Sequence, residues 1–148
     1  MILPDFKAFP RAGRIIGIDW GARRVGVAVS DETRGFVFTR PTINIGRGDD
    51  VATIVARVVA DERACGIVVG LPLYPDGTES DTTKMVREFI SALSQKTDLP
   101  IVTVEENLTS VMAQESMGRV RVRDIKERLD SESARVILEN AIALINRA

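Results

Sequence analysis

Two hydrophobic periods divide this sequence. Between residues 14 and 39 the apolar positions run in short consecutive or alternating stretches broken by turn residues. Residues 14–19 predict a strand, Gly21, Ala22 and Arg23 a turn, and residues 25–30 the hairpin partner. A second turn at 31–35 leads to a third strand at 36–39, and a loop follows from Pro41 to Gly48. From Val51 onward the period lengthens. Val51, Ile54, Val55, Val58 and Val59 recur at helical spacing, with Asp49 or Asp50 as the cap. Residues 66–70 are a continuous apolar run of the kind a parallel central strand buries on both faces. Pro75-Asp76-Gly77 is a turn signal. Met85, Val86, Phe89, Ile90 and Leu93 then form the stripe of a second helix, capped by Ser80 or Asp81. A strand at 101–104, a helix from Thr109 or Ser110 to about Met117, and a charged segment at 119–128 come next. A last helix carries Val136, Ile137, Leu138, Ala141, Ile142, Leu144 and Ile145.

An antiparallel three-strand meander followed by strands alternating with helices predicts an α/β fold. Its expected form is a five-stranded mixed sheet, the meander plus two parallel strands, with helices on both faces. Residues 1–13 hold Pro4 and Pro10 with little pattern, so a flexible or loosely docked N-terminal arm is expected ahead of a single domain at 14–148. The length of 148 residues suits one domain, and 45% hydrophobic with 28% charged residues is a globular balance. No apolar run approaches the roughly 20 residues of a membrane helix, and the first residues lack the pattern of a secretory signal. A cytoplasmic location is therefore expected.

The chemistry is bounded by what is missing. The chain has no histidine and one cysteine, Cys65. That removes Ser-His and Cys-His triads, imidazole metal sites and disulfides. Three carboxylate positions draw notice instead. Asp19 ends the first strand, where a turn aspartate bonded to backbone is the plainer alternative. Glu105 and Glu106 follow the strand at 101–104; consecutive strand residues face opposite sides, so at most one of them shares a face with Asp19. Asp130 precedes the last helix and makes a good N-cap. Asp19 and the glutamate pair lie at the carboxyl ends of strands, where open α/β sheets bind ligands. Without His or a second Cys, such a carboxylate cluster suits hard cations, Mg²⁺ or Mn²⁺. Paired ions of this type assist in-line phosphoryl displacement. Two basic clusters flank the acidic positions. Arg119, Arg121, Arg123, Lys126 and Arg128 outnumber Asp124 and Glu127, and Arg11, Arg14, Arg23 and Arg24 outnumber Asp19. They suit phosphate contacts, although solvated surface is the common fate of a charge run. With a net charge of −1, any nucleic-acid surface must be local.

Three stretches together carry a family resemblance. They are residues 17–31, beginning Gly17-Ile18-Asp19-Trp20-Gly21; residues 67–72 with Asp76-Gly77-Thr78; and residues 104–110 with Asp130 and Ala134. The chain resembles the YqgF family, Holliday-junction-resolvase-like or ribosomal-RNA-precursor nucleases of bacteria. The resemblance implies a ribonuclease H-like fold and metal-dependent hydrolysis of phosphodiesters during maturation of the small-subunit ribosomal RNA precursor. It implies that Asp19, Glu106 and Asp130 are the acidic, metal-holding residues, which selects Glu106 over Glu105. Departures are visible too. Glu105-Glu106-Asn107 stands where Asp-Glu-Arg is usual, Tyr74 where an Asn is usual, and Ser133 where paired alanines open the last helix. Altered substrate contacts are expected from them.

The expectation is thus a nuclease with Mg²⁺ or Mn²⁺ as cofactor, acting on structured RNA (the ribosomal RNA precursor) or branched DNA. Asp19, Glu106 and Asp130 would be catalytic. Arg23 and Arg24 would contact phosphates near the first hairpin, and Arg119, Arg121, Arg123 and Lys126 would hold the flanking strand. Rival readings are a Holliday-junction-type DNA resolvase and a non-catalytic nucleic-acid-binding module. A third is an ATP-binding relative of the actin and sugar-kinase superfamily, which needs two such domains where this chain has room for one. No long exposed apolar stripe marks an interface, leaving a monomer or a weak homodimer open.

Overall fold

The computed structural model describes residues 1–107 and 122–148, and the side chains of 1–106 and 132–148. Strands β1 (Ile15–Asp19), β2 (Arg24–Ser30) and β3 (Val37–Asn44) form the meander; helix α1 (Val51–Asp61), strand β4 (Gly66–Leu73), helix α2 (Asp81–Ser94), strand β5 (Ile101–Asn107) and helix α3 (Val122–Arg147) follow. The sheet order is β3-β2-β1-β4-β5, with β1 antiparallel to β2 and parallel to β4, and β4 parallel to β5. The expected five-stranded mixed sheet is therefore present. Helices α1 and α2 cover one face and α3 the other.

Alternation along each strand sorts the residues between the two layers. Ile16, Ile18, Ile67, Val69 and Leu71 join Val55, Val59, Val86, Phe89 and Leu93 beneath α1 and α2. Ile15, Val68, Val102 and Val104 join Ala134, Ile137, Leu138 and Ala141 beneath α3. Both crossover helices begin on side-chain caps. Asp50 accepts from the Thr53 backbone N–H, and Ser80 forms a reciprocal capping box with Thr83.

Several elements run further than the local pattern predicts. β3 extends through Pro41 to Asn44 instead of stopping at Thr39. It is an edge strand, and its register with β2 shifts between Val25↔Ile43 and Val27↔Arg40, leaving one extra residue on β3. A proline without an N–H is tolerated at such a bulge. β4 likewise continues through Pro72, beyond the last residue that pairs with β1, Val69. There its free side meets no strand, and the Pro72 carbonyl accepts the Thr83 hydroxyl of α2. β5 continues through Glu105 and Glu106 to Asn107, so both glutamates lie inside a strand rather than after one.

Of the two forms expected for residues 1–13, the docked one is present. Phe6 and Phe9 are buried and meet edge to face, with ring centroids 5.3 Å apart. The Phe9 ring fills the space above Gly66, where a side chain would come within 2.4 Å of it. Leu3 donates to the Ile101 carbonyl at 2.9 Å, adding a short parallel bridge to the outer edge of β5. The expected helix at 109–117 lies outside the described residues. Asp130, expected as a cap before the last helix, lies within α3. Residues 122–147 contain neither glycine nor proline, so nothing in the chain stops that helix locally. Among the described residues no helix is long and apolar enough to cross a membrane.

Candidate active site

The site is assembled by strand register. Ile15 packs beneath α3 and Gly17 lies against α3, so Asp19, two residues on, faces that same side. Ile18 pairs with Val69, which brings Asp19 next to Gly70 on β4. Gly70 in turn pairs with Val104, and Pro72 with Glu106. Val104 packs beneath α3, so Glu106 shares the α3 face with Asp19. Glu105 pairs with Leu71, which packs beneath α1 and α2; it faces away and is exposed. The question left open by alternation alone, which glutamate accompanies Asp19, is answered by the register.

Gly70 lies on β4, the strand between the two that carry Asp19 and Glu106. A methyl group placed there would lie 2.9 Å from Glu106 Oε2. The glutamate is half-buried, and burial pushes its carboxyl up to about 6 from an ordinary 4.5. Poor hydration disfavours its charge, a penalty that a nearby cation offsets. Asp19 is also half-buried at the end of β1. Two carboxylates on one face, at the carboxyl ends of two strands, are a donor set suited to a hard divalent cation. Among the described residues no three acidic, cysteine or histidine side chains converge on one point. The third acidic position, Asp130, contributes a backbone place on α3; its side chain lies outside the described residues.

Other expected contacts distribute unevenly. Arg23 is exposed in the turn after β1, and Arg24, half-buried, opens β2 opposite Asn44. Both therefore lie within a few residues of Asp19. Arg123 and Lys126 are positions of α3, while Arg119 and Arg121 lie outside the described residues. Tyr74, which the resemblance marks as a departure, is exposed directly after β4, two residues past the Glu106 partner Pro72. Its turn is fixed by bonds from Tyr74 N–H to the Thr78 carbonyl (3.0 Å) and from Gly77 N–H to the Tyr74 carbonyl (2.8 Å).

A family model described as "RuvX: Holliday junction resolvase" matches residues 13–143. A protein of Maridesulfovibrio salexigens named "Putative pre-16S rRNA nuclease" is 35% identical over 132 residues, covering 88% of this chain and 98% of that one. A Rickettsia canadensis protein of the same name is 30% identical, with 99% of each chain covered. Among solved structures, Thermus thermophilus RuvC in complex with Holliday junction substrate superposes with a TM-score of 0.57 at 11% identity, covering 91% of this chain and 96% of that one. That likeness supports the ribonuclease H-like architecture.

Proposed function

The chain belongs to the RuvX family, the YqgF family of the sequence resemblance, and on that premise we propose that it is a metal-dependent nuclease. Its reaction is hydrolysis of phosphodiester bonds, and its substrate the small-subunit ribosomal RNA precursor in the cytoplasm. The observation that carries the reading is the register that sets Asp19 and Glu106 on one face beside Gly70. Asp19 and Glu106 would hold Mg²⁺ or Mn²⁺ through carboxylate oxygens, with Asp130 as the third ligand that the family resemblance assigns. Divalent cations in such sites lower the pKa of a water nucleophile and stabilise phosphoryl charge.

The remaining roles belong to the chain itself. Burial raises the proton affinity of Glu106, so a bound cation would have to displace that proton below about pH 6. Arg23 and Arg24 would contact phosphates beside Asp19 and set the register of the backbone. Arg119, Arg121, Arg123 and Lys126 would hold the flanking strand. The relatives carry the ribosomal RNA name, while the family description names a junction resolvase; both substrates present phosphodiesters.

The deciding experiment compares wild type with Asp19→Asn on a labelled precursor RNA and on a four-way DNA junction, each with Mg²⁺, Mn²⁺ or chelator. Metal-dependent cleavage of the RNA, lost in the variant, is the expected result. Cleavage of the junction alone would reassign the substrate. Binding without cleavage in any condition would reject the nuclease.

A further inference from the structure

Gly70 occupies an interior strand, where glycine weakens a sheet and a β-branched residue is the usual occupant. Its φ lies outside the left-handed region, so backbone shape does not call for glycine. Space does. A Cβ at this position would stand 2.4 Å from Ile137 Cδ1, 3.0 Å from Ile137 Cγ1 and 2.9 Å from Glu106 Oε2, all below ordinary van der Waals contact. Gly17, on the same face, makes a useful contrast. The three nearest atoms to its would-be Cβ are Leu138 Cβ at 2.9 Å, the Ala134 carbonyl oxygen at 3.0 Å and Leu138 Cα at 3.5 Å, all in α3. Gly17 makes room for a helix; Gly70 makes room for a helix side chain and a carboxylate.

We propose that Gly70 is a positioning residue, the bare seat that holds the Glu106 carboxylate on the face of Asp19. The proposal rests on the two-carboxylate site described above and adds the element that aims one of its members. Gly70 lies on β4, the strand between those that carry the two acids, one residue past the Ile18–Val69 pair and against the Glu106 oxygen. A methyl group there must displace both Ile137 Cδ1 and the Glu106 carboxylate, since each lies within 3.0 Å of it. Ile137 is fixed in the buried layer beneath α3, whereas Glu106 is only half-buried and has water to move toward. The Ile137 methyl end can turn only within that layer, while the carboxylate moves out toward water and leaves the shared face.

Gly70→Ala, Ile137→Ala, the double variant and Gly17→Ala separate these contacts. Mn²⁺ affinity is read by titration calorimetry, stability by urea unfolding, and side-chain position from a metal-free crystal structure of Gly70→Ala. A misaimed ligand should weaken Mn²⁺ binding by at least about tenfold, the range seen when supporting contacts of metal ligands are removed. The loss should persist in the double variant relative to Ile137→Ala, where the clash with α3 is relieved. Gly17→Ala should lower stability while leaving affinity intact. The crystal structure should show the Glu106 carboxylate moved off residue 70. Affinity in the double variant equal to that of Ile137→Ala, or an unmoved carboxylate, would overturn the proposal. A wild type that takes up no Mn²⁺, together with a displaced carboxylate in Gly70→Ala, would reject the metal reading and uphold the seat.

Discussion

The two faces of the sheet are built from different materials. Beneath α1 and α2 the strands present Ile16, Ile18, Val25, Val27, Val29, Ile67, Val69 and Leu71, a continuous surface of branched side chains. Beneath α3 the same strands present Gly17, Ala28, Gly66 and Gly70 among their apolar residues, and at the carboxyl ends Asp19 and Glu106. The first face packs for stability alone. The second gives up packing volume so that a helix, the Phe9 ring and the Glu106 carboxylate can come close to the backbone. A site needs polar groups held in a place where hydration is poor, and bare strand positions create that place without unfolding the sheet.

This division predicts that function and stability can be damaged separately. The largest effect should come from the α3 face. Asp19→Asn should lower metal-dependent cleavage by more than about a hundredfold, because losing a ligand must exceed the 10–100-fold typical of its supporting contacts. Its far-ultraviolet circular dichroism should match wild type. The opposite face should give the converse. Leu93, fully buried on the sheet-facing side of α2, when cut to alanine should cost about 2–5 kcal/mol in urea unfolding. Mn²⁺ affinity of that folded variant should equal wild type; a loss would mean the faces are mechanically coupled.

Glu106 sharpens the contrast through pH. Its carboxyl stands at about 6 in the folded chain against an ordinary 4.5, so the native state holds the proton more tightly than the unfolded state. Its contribution to stability is complete below 4.5 and is lost as pH rises through about 6. Glu106→Gln should remove this dependence and, without metal, be more stable than wild type at pH 7 by about 2 kcal/mol. Denaturant unfolding at pH 4.5 and pH 7 in chelator checks it. Equal stability of the two proteins at pH 7 would show that the glutamate is well solvated. The smallest effect is at the α2 cap. Ser80→Ala removes the acceptor for the Thr83 N–H and should cost about 1 kcal/mol, read as a shift in the urea midpoint with cleavage unchanged.

Much of this was legible in the sequence because it is local. The hairpin at Gly21–Arg23, the valine stripe of α1 and the stripe of α2 each carry a period and a boundary signal within about a dozen residues. What was not legible depends on neighbours distant in sequence. Pro41 reads as the start of a loop and the apolar run at 66–70 stops short of Pro72, yet each proline sits where a strand has one open side, which only the sheet order reveals. Phe6 and Phe9 show no period; their burial follows from a glycine more than fifty residues away. Asp130-Ser131-Glu132 reads as a helix start, but the helix continues through it. For the site, alternation limited the glutamates to one on the Asp19 face, and the pairing of Val104 with Gly70 is the missing datum that makes it Glu106.

The docked arm has a consequence for how the chain reaches its folded state. Leu3 bonds to Ile101, and Phe9 rests on Gly66. During synthesis, residues 3 to 9 are made well before either partner. They must wait, with two aromatic rings uncovered, until most of the sheet has left the ribosome. Closing the arm is therefore a late event, and the edge of β5 that it covers is open to other chains until then.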